Sequence, residues 1–89
     1  MDIKDRVIVV TGAASGIGKS LVKIFFQHGA KHVVSADVNI EGIKKVAKEY
    51  GGTAIKCDVS REGDIAKVIR TTEREIGPIS IFCSNAGIG

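Results

Sequence analysis

The sequence predicts an α/β fold, a parallel sheet with helices on both faces in the order βαβαβαβ. Short β-branched runs alternate with helical patterns of about 10 to 15 residues, which is typical of strand–helix–strand units. The runs are apolar almost throughout, as expected of strands covered on both faces. With 89 residues, of which 44% are hydrophobic and 26% charged, the chain has room for one domain, residues 1–89.

The first predicted strand covers residues 6–10, and the stretch TGAASGIG at residues 11–18 leads from it into the first helix. Gly29 is placed to end that helix, and Lys19 and Lys23 lie opposite its apolar side. The residues predicted to form the apolar side are Ile17, Leu21, Ile24, Phe25 and His28.

Residues 33–37 form the second predicted strand, and Asn39 is a suitable N-cap for the helix that follows. Gly51 and Gly52 should close this second helix. Its predicted apolar side comprises Ile40, Ile43, Val46, Ala47 and Tyr50.

Residues 53–57 form the third predicted strand, and residues 79–84 form the fourth. Between them we expect a helix that is capped by Ser60 and stopped by Gly77 and Pro78. Its predicted apolar side comprises Ile65, Val68, Ile69, Thr72 and Ile76.

Charge and cysteine content exclude several classes of function. The net charge is +3 and acidic residues stand between the lysines, which indicates a solvated surface rather than a nucleic-acid interface. No apolar run approaches the roughly 18 residues of a membrane span, and no leader pattern is visible, so we expect a cytoplasmic or organelle-matrix protein. Cys57 and Cys83 lack a metal-binding spacing and should be reduced and buried, with His28 and His32 at the surface.

The glycines of TGAASGIG lie in the predicted turn between the first strand and the first helix, where they suit a phosphate-binding loop. Gly12 allows a sharp turn, Gly16 leaves room for phosphates, and Gly18 allows the helix to pack closely on the sheet. The free N–H groups and the dipole of the helix start would then face a dinucleotide pyrophosphate.

A nucleoside-triphosphate loop is the alternative interpretation of the same stretch. Gly18, Lys19 and Ser20 match the end of that motif, which reads G-x-x-x-x-G-K-[ST]. However, Ala13 stands where the motif requires its first glycine. The dinucleotide interpretation is therefore favoured.

Asp37 supports this interpretation because it ends the second strand roughly 20 residues after Gly18, where a carboxylate can reach a ribose 2′-hydroxyl. A 2′-phosphate would meet the carboxylate as a like charge, and Ala14 and Ser15 offer no compensating cation. NAD is thus favoured over NADP. The structural alternative is that Asp37 caps the next helix, although Asn39 already suits that position.

Four matches together give a family resemblance that runs through all 89 residues: the TGAASGIG loop, Asp37, the Cys57-Asp58-Val59 stretch and the Asn85-Ala86-Gly87 stretch. With them the chain resembles the N-terminal, cofactor-binding half of the short-chain dehydrogenase/reductase family. The resemblance implies a Rossmann-like sheet of strand order 3-2-1-4, a truncated half of a doubly wound fold.

The resemblance also implies roles for individual residues, with NAD as the cofactor. Ser15, Ile17 and Gly18 would hold the pyrophosphate, Asp37 would bind the adenosine ribose, and Asp58 with Val59 would line the adenine pocket. The full implied set is Gly12, Ser15, Gly16, Ile17, Gly18, Asp37, Asp58, Val59, Asn85, Ala86 and Gly87. For Asn85 the alternative is a structural role, tying strand backbones together.

The family's chemistry is hydride transfer between NAD(H) and an alcohol or carbonyl group, assisted by a Tyr-x-x-x-Lys pair and a serine. Tyr50 is the only tyrosine and Ala54 follows four places later, while Ser80 and Ser84 lie on or near the fourth strand. We therefore predict no catalytic residue here and no metal. The expected function is the NAD-binding half of an oxidoreductase; the alternative is a non-catalytic half-fold that binds nucleotide or protein.

The implied strand order has two further consequences. Strand four would present an exposed apolar edge, so we expect a homo-oligomer formed through that edge or through helix faces. Cys57 and Cys83 would be three strand spacings apart, about 14 Å, which excludes a disulfide between them.

Overall fold

The computed structural model describes residues 3–85 and contains one four-stranded parallel sheet in the order β3-β2-β1-β4. The elements are β1 (Val7–Thr11), α1 (Gly16–Gln27), β2 (His32–Asp37), α2 (Ile40–Tyr50), β3 (Thr53–Lys56), α3 (Glu62–Glu75) and β4 (Ile81–Cys83). The predicted element order and strand order are both confirmed.

Strand β1 lies at the centre of the sheet, between β2 and β4, and all of its residues are buried. Ile8 and Val10 point into a cluster beneath α1 and α2, whereas Val9 joins Val34 in a second cluster beneath α3. Because both faces are covered, the strand has no polar alternation, which explains the continuous apolar run.

The buried side of α1 differs from the prediction. Gly18, Val22 and Phe25 are buried, whereas Ile17 and Ile24 are 63% and 45% exposed. The reason is Gly18, which must face inward because it lies against the loop backbone. Residues four and seven places later share its face of the helix and therefore meet the sheet instead.

The ends of α1 and α2 match the predictions. Gly29 has a φ of 84° just beyond α1, which is a conformation that glycine adopts without strain. The Oδ1 of Asn39 accepts a hydrogen bond of 3.0 Å from the Gly42 N–H at the start of α2. Gly51 ends α2, and its N–H donates to Ala47.

The start of α3 was predicted incorrectly, because Ser60 does not cap it. The N-cap is Arg61, which makes no side-chain capping bond. The Ser60 N–H and hydroxyl both donate to Oδ1 of Asp58, at 3.0 and 2.6 Å, which keeps this hydroxyl from the helix amides. Strand β4 is also shorter than predicted, while Val68 and Thr72 are buried as expected.

His32 is half-buried rather than fully at the surface. Its Nε2 lies 2.8 Å from Oγ1 of Thr53 on the neighbouring strand, and burial lowers the pKa of the ring. His28 is exposed as predicted. Cys57 and Cys83 are free thiols that pack against opposite faces of the sheet, and Cys83 is only partly buried.

Between residues 3 and 85, no helix has the length and apolar character needed to cross a membrane. The same residues contain no cluster of three or more histidine, cysteine or acidic side chains suited to a metal ion.

Candidate functional site

The polar residues singled out in the sequence gather at one edge of the sheet. The loop after β1, Asp37 at the end of β2, Asp58 after β3 and Asn85 after β4 all follow the carboxyl ends of parallel strands. Ligands of open α/β sheets bind at this edge. The topology therefore brings the candidate residues to one side of the molecule.

The glycine loop, residues 12–18, turns sharply at its first residue. Gly12 has a φ of 66°, which residues with a side chain rarely adopt. The Gly12 carbonyl accepts bonds from the Ser15 N–H at 3.1 Å and from the Ser15 hydroxyl at 2.7 Å. This reversal directs the chain from the strand into α1.

Gly18 requires the absence of a side chain for a different reason. A methyl group on it would lie 2.1 Å from the Gly12 carbonyl oxygen and 2.9 Å from Cα of Ala13. The prediction of close packing at Gly18 is thus correct, but the nearest neighbour is the loop backbone rather than the sheet. Gly18 consequently draws the first turn of α1 onto the loop.

Gly16 differs from both, since a methyl group there would meet no atom within 4 Å and its φ is not positive. The fold itself does not require glycine at this position. The N–H groups of Gly16 and Ile17 have no hydrogen-bond partner within residues 3–85, as is usual in the first turn of a helix. Open space and free donors therefore coincide, which is an arrangement suited to an anion.

Ser15 is the N-cap of α1 and is already engaged within the loop. Its Oγ accepts a weak bond of 3.4 Å from the Gly18 N–H and lies 3.3 Å from Nδ2 of Asn85. The same hydroxyl donates to Gly12. Ser15 thus fixes the shape of the loop, and a direct contact to a phosphate stays a prediction.

Asp37 joins the glycine loop to the start of α2. Its Oδ2 accepts a bond of 3.0 Å from the Ala14 N–H, and its Oδ1 accepts one of 3.0 Å from the Asn39 N–H. A carboxylate has about four acceptor positions. Two are used here, so the group can still accept bonds from ribose hydroxyls.

Asp58 is held by its own loop and by α3 rather than by the glycine loop. Hydrogen bonds from the hydroxyl and the amide of Ser60 lower the pKa of its carboxyl group. The Asp58 N–H in turn donates to Oδ2 of Asp64 at 2.9 Å. Val59 packs partly against the cluster beneath α3.

Cys57 lies beside these carboxylates and is unsuited to nucleophilic chemistry. Burial raises the pKa of its thiol, and the negative charges of Asp64, Asp58 and Asp37 raise it further. The reactive species of a cysteine is the thiolate, which these surroundings disfavour. Cys57 is therefore a packing residue.

Asn85 ties the end of β4 to β1 and to the loop, which agrees with the structural alternative. Its N–H donates to Oγ1 of Thr11 at 3.0 Å, and its Nδ2 donates to the Gly12 carbonyl at 3.4 Å. The Thr11 hydroxyl also donates to the Cys83 carbonyl at 3.3 Å. Ala86 and Gly87 lie outside the described residues.

Sequence reasoning assigned no part in the site to Thr11 or Ala14. Thr11 bridges β1 and β4, and Ala14 provides the amide that anchors Asp37. The signal in the sequence for Thr11 was a hydroxyl residue directly after the apolar run of the first strand. The role of Ala14 lies in its backbone, so its side chain gave no signal.

Comparisons with known proteins agree with the fold. The family described as short chain dehydrogenase matches residues 6–89. A mitochondrial borneol dehydrogenase from Lavandula x intermedia is 41% identical over 86 residues, which cover 97% of this chain and 33% of that protein.

Two solved structures from Brucella melitensis are similar to the chain. A 3-ketoacyl-(acyl-carrier-protein) reductase complexed with NADH has a TM-score of 0.84 at 32% identity, covering 90% of this chain and 34% of that one. A ribose-5-phosphate isomerase has a TM-score of 0.90 at 29% identity, covering 98% and 34%. The chain thus spans about a third of the length of these proteins.

Proposed function

The chain belongs to the short-chain dehydrogenase family, and from this premise we propose that its glycine loop binds the pyrophosphate of NAD(H). The observation that carries the proposal is that the amides of Gly16 and Ile17 have no partner among residues 3–85 and lie at open space at the start of α1. Backbone donors and the helix dipole both favour a phosphate at this point. Gly12, Ser15 and Gly18 shape the loop that presents them.

The Asp37 carboxylate is proposed to accept hydrogen bonds from the adenosine ribose. It ends β2 beside the loop, where the Ala14 amide and the Asn39 amide hold it in place. A 2′-phosphate would bring a second negative charge to this carboxylate, which costs free energy. The proposed cofactor is therefore NAD rather than NADP.

The remaining candidate residues are proposed to surround the adenosine. Asp58 and Val59 would line the adenine pocket at the end of β3. Asn85, Ala86 and Gly87 would run beside the sugars. The hydrogen bonds of Asn85 to Thr11 and Gly12 support a positioning role for it rather than direct contact.

At the level of the whole protein we propose an oxidoreductase that transfers hydride between NAD(H) and an alcohol or carbonyl substrate. The similarity to a borneol dehydrogenase and to a reductase complexed with NADH supports this class of reaction. The 89 residues include one tyrosine, Tyr50, with Ala54 four places later, and so contain no Tyr-x-x-x-Lys pair. We expect no turnover from these 89 residues alone.

We also propose that the chain self-associates in the cytoplasm through the β4 edge of the sheet. Within the described residues β4 pairs only with β1, and the Phe82 side chain is 37% exposed. An apolar edge strand of this kind is a ready template for pairing with another chain.

The pyrophosphate proposal is tested by Gly16→Val, which fills the open space above the helix start. We expect Gly16→Val to weaken NADH binding at least about tenfold, equivalent to about 1.4 kcal/mol, in a fluorescence titration. Gly63→Val is the matched control, because Gly63 also lies in a first helical turn with no atom within 4 Å of an added methyl group. Equal affinities in the two variants would contradict the proposed site.

A further inference from the structure

The first turn of α2 lies close to the glycine loop, with Gly42 of the helix facing the side chain of Ala14. A methyl group on Gly42 would lie 2.8 Å from Cβ of Ala14 and 2.8 Å from Nδ2 of Asn39. Carbon atoms at optimal contact are about 3.5 to 4.0 Å apart. The helix therefore reaches this position only because Gly42 has no side chain.

Ala14 cannot easily move away from Gly42, because hydrogen bonds fix the backbone at and before it. Its N–H donates to Oδ2 of Asp37 at 3.0 Å, and the preceding N–H of Ala13 donates to the Ala36 carbonyl at 3.2 Å. The Ala14 side chain also packs partly against the cluster beneath α1 and α2. This loop residue thus lies between the end of β2 and the first turn of α2.

The conformation of α2 does not account for the glycine. Gly42 is not among the residues with positive φ, so any residue could adopt its backbone conformation. Glycine is also the poorest helix former except proline. Gly63 in the first turn of α3 offers a contrast, because a methyl group there would meet nothing within 4 Å.

We propose that Gly42 is a positioning residue for the glycine loop. By letting α2 support Ala14 directly, it sets the distance from the end of β2 to the loop, and through the next residues it sets where the Gly16 and Ile17 amides stand. This inference rests on the proposed dinucleotide site for its functional consequence. The contact between Gly42 and Ala14 is independent of any ligand.

The first test compares Gly42→Ala with Gly63→Ala in the full chain by thermal denaturation. Gly63→Ala should raise Tm by about 4 °C, the usual benefit of alanine over glycine in a helix. Gly42→Ala should lower Tm instead, since the new methyl group displaces Ala14. A similar rise in Tm for both variants would overturn the proposal.

A second substitution identifies the contact that matters. Ala14→Gly should lower the Tm of the wild-type chain but raise that of Gly42→Ala, because it removes the atom that the new methyl group meets. Asn39→Ser replaces the capping amide oxygen with a hydroxyl oxygen and shortens the other neighbour of Gly42. Recovery with Asn39→Ser and none with Ala14→Gly would show that the clash concerns the helix cap alone, and would refute the proposal.

The functional readout is the dissociation constant for NADH. Gly42→Ala should raise it about tenfold, Ala14→Gly in the same chain should restore most of the affinity, and Gly63→Ala should leave it unchanged. Wild-type affinity in Gly42→Ala would refute the positioning role. If the wild-type chain itself binds no NADH, the proposed function fails. The opposite Tm shifts expected for Gly42→Ala and Gly63→Ala still decide whether Gly42 positions the loop.

Discussion

At the scale of single residues, Thr72 combines complete burial with an unpaired hydroxyl. Its Oγ1 on α3 has no hydrogen-bond partner within residues 3–85. Valine has the same shape and the same branching at Cβ but no polar atom to desolvate. We therefore expect Thr72→Val to raise the free energy of unfolding by about 1 kcal/mol, and Tm by about 4 to 8 °C in thermal denaturation.

The control for this prediction is Thr71→Val, the same exchange at the preceding, half-buried residue of the helix. It reports any general effect of the substitution on α3. A Tm rise of the same size at Thr71, or a fall at Thr72, would show that the buried hydroxyl costs nothing.

Asp37 gives a second prediction at this scale, because its carboxylate should favour one cofactor over the other. Asp37→Ala removes the proposed acceptor of the ribose and also the anchor of the Ala14 amide. It removes the repulsion of a 2′-phosphate as well. NAD binding should therefore weaken about tenfold and NADP binding much less, as measured by titration with each cofactor. Equal losses for both would show that the carboxylate is structural only.

At the scale of elements, the sequence predicts where helices and strands lie better than which side of each faces inward. The caps of α2 were predictable because Asn39 and Gly51 act through their immediate neighbours. The inward side of α1 was not, since glycine has no apolar signal while Ile17 and Ile24 have a strong one. Only the contact of Gly18 with Gly12, which is tertiary, sets the rotation of the helix.

The loop before α3 shows the same limit for polar groups in the site. Ser60 has the residue type and the position of an N-cap, but its N–H and its hydroxyl both donate to Oδ1 of Asp58 instead. The glycine loop and Asp37 were recognisable from spacing, whereas the bonds of Asn85 to Thr11 and Ser15 depend on the pairing of β4 with β1. Motif spacing thus indicates the candidate site, and long-range packing decides which of its atoms already form hydrogen bonds within the chain.

The contact between β2 and β3 gives a prediction about pH. Burial lowers the pKa of His32 in the folded chain below its ordinary value of 6.5, so the unfolded chain binds the proton more readily. Above about pH 6.5 the ring is neutral in both states, and its titration does not change the free energy of unfolding. As pH falls from there through the folded pKa, the unfolded chain takes up the proton first and the free energy of unfolding decreases. We expect Tm to fall between about pH 7.5 and pH 5.5, and His32→Asn to make this fall shallower.

His28→Asn serves as the comparison for the pH series, because His28 is exposed at the end of α1. The assignment to His32 is wrong if the two variants show the same dependence of Tm on pH.

At the scale of the whole molecule, the β4 edge predicts association. Phe82 lies on β4, beside an edge with no strand partner in the described part of the chain. Phe82→Lys places a charge there and should reduce the mass measured by light scattering at high concentration to that of one chain. Ile24→Lys is the comparison, because the Ile24 side chain is exposed on α1. Loss of association only in Ile24→Lys would assign the contact to the helix instead.

The central place of β1 in the sheet also orders events while the protein is being synthesised. The backbone N–H of Asn85 donates to Thr11 at the end of β1, and the two residues are 74 positions apart along the chain. The pairing of β1 with β2 can form early, whereas its pairing with β4 must wait until β4 and Asn85 have left the ribosome. Bringing together residues so far apart along the chain costs more conformational entropy than closing the shorter connection between β1 and β2. The side of the proposed nucleotide site that Asn85 forms is therefore completed only after β4 has docked, and we expect a nascent chain to retain the cofactor poorly before then.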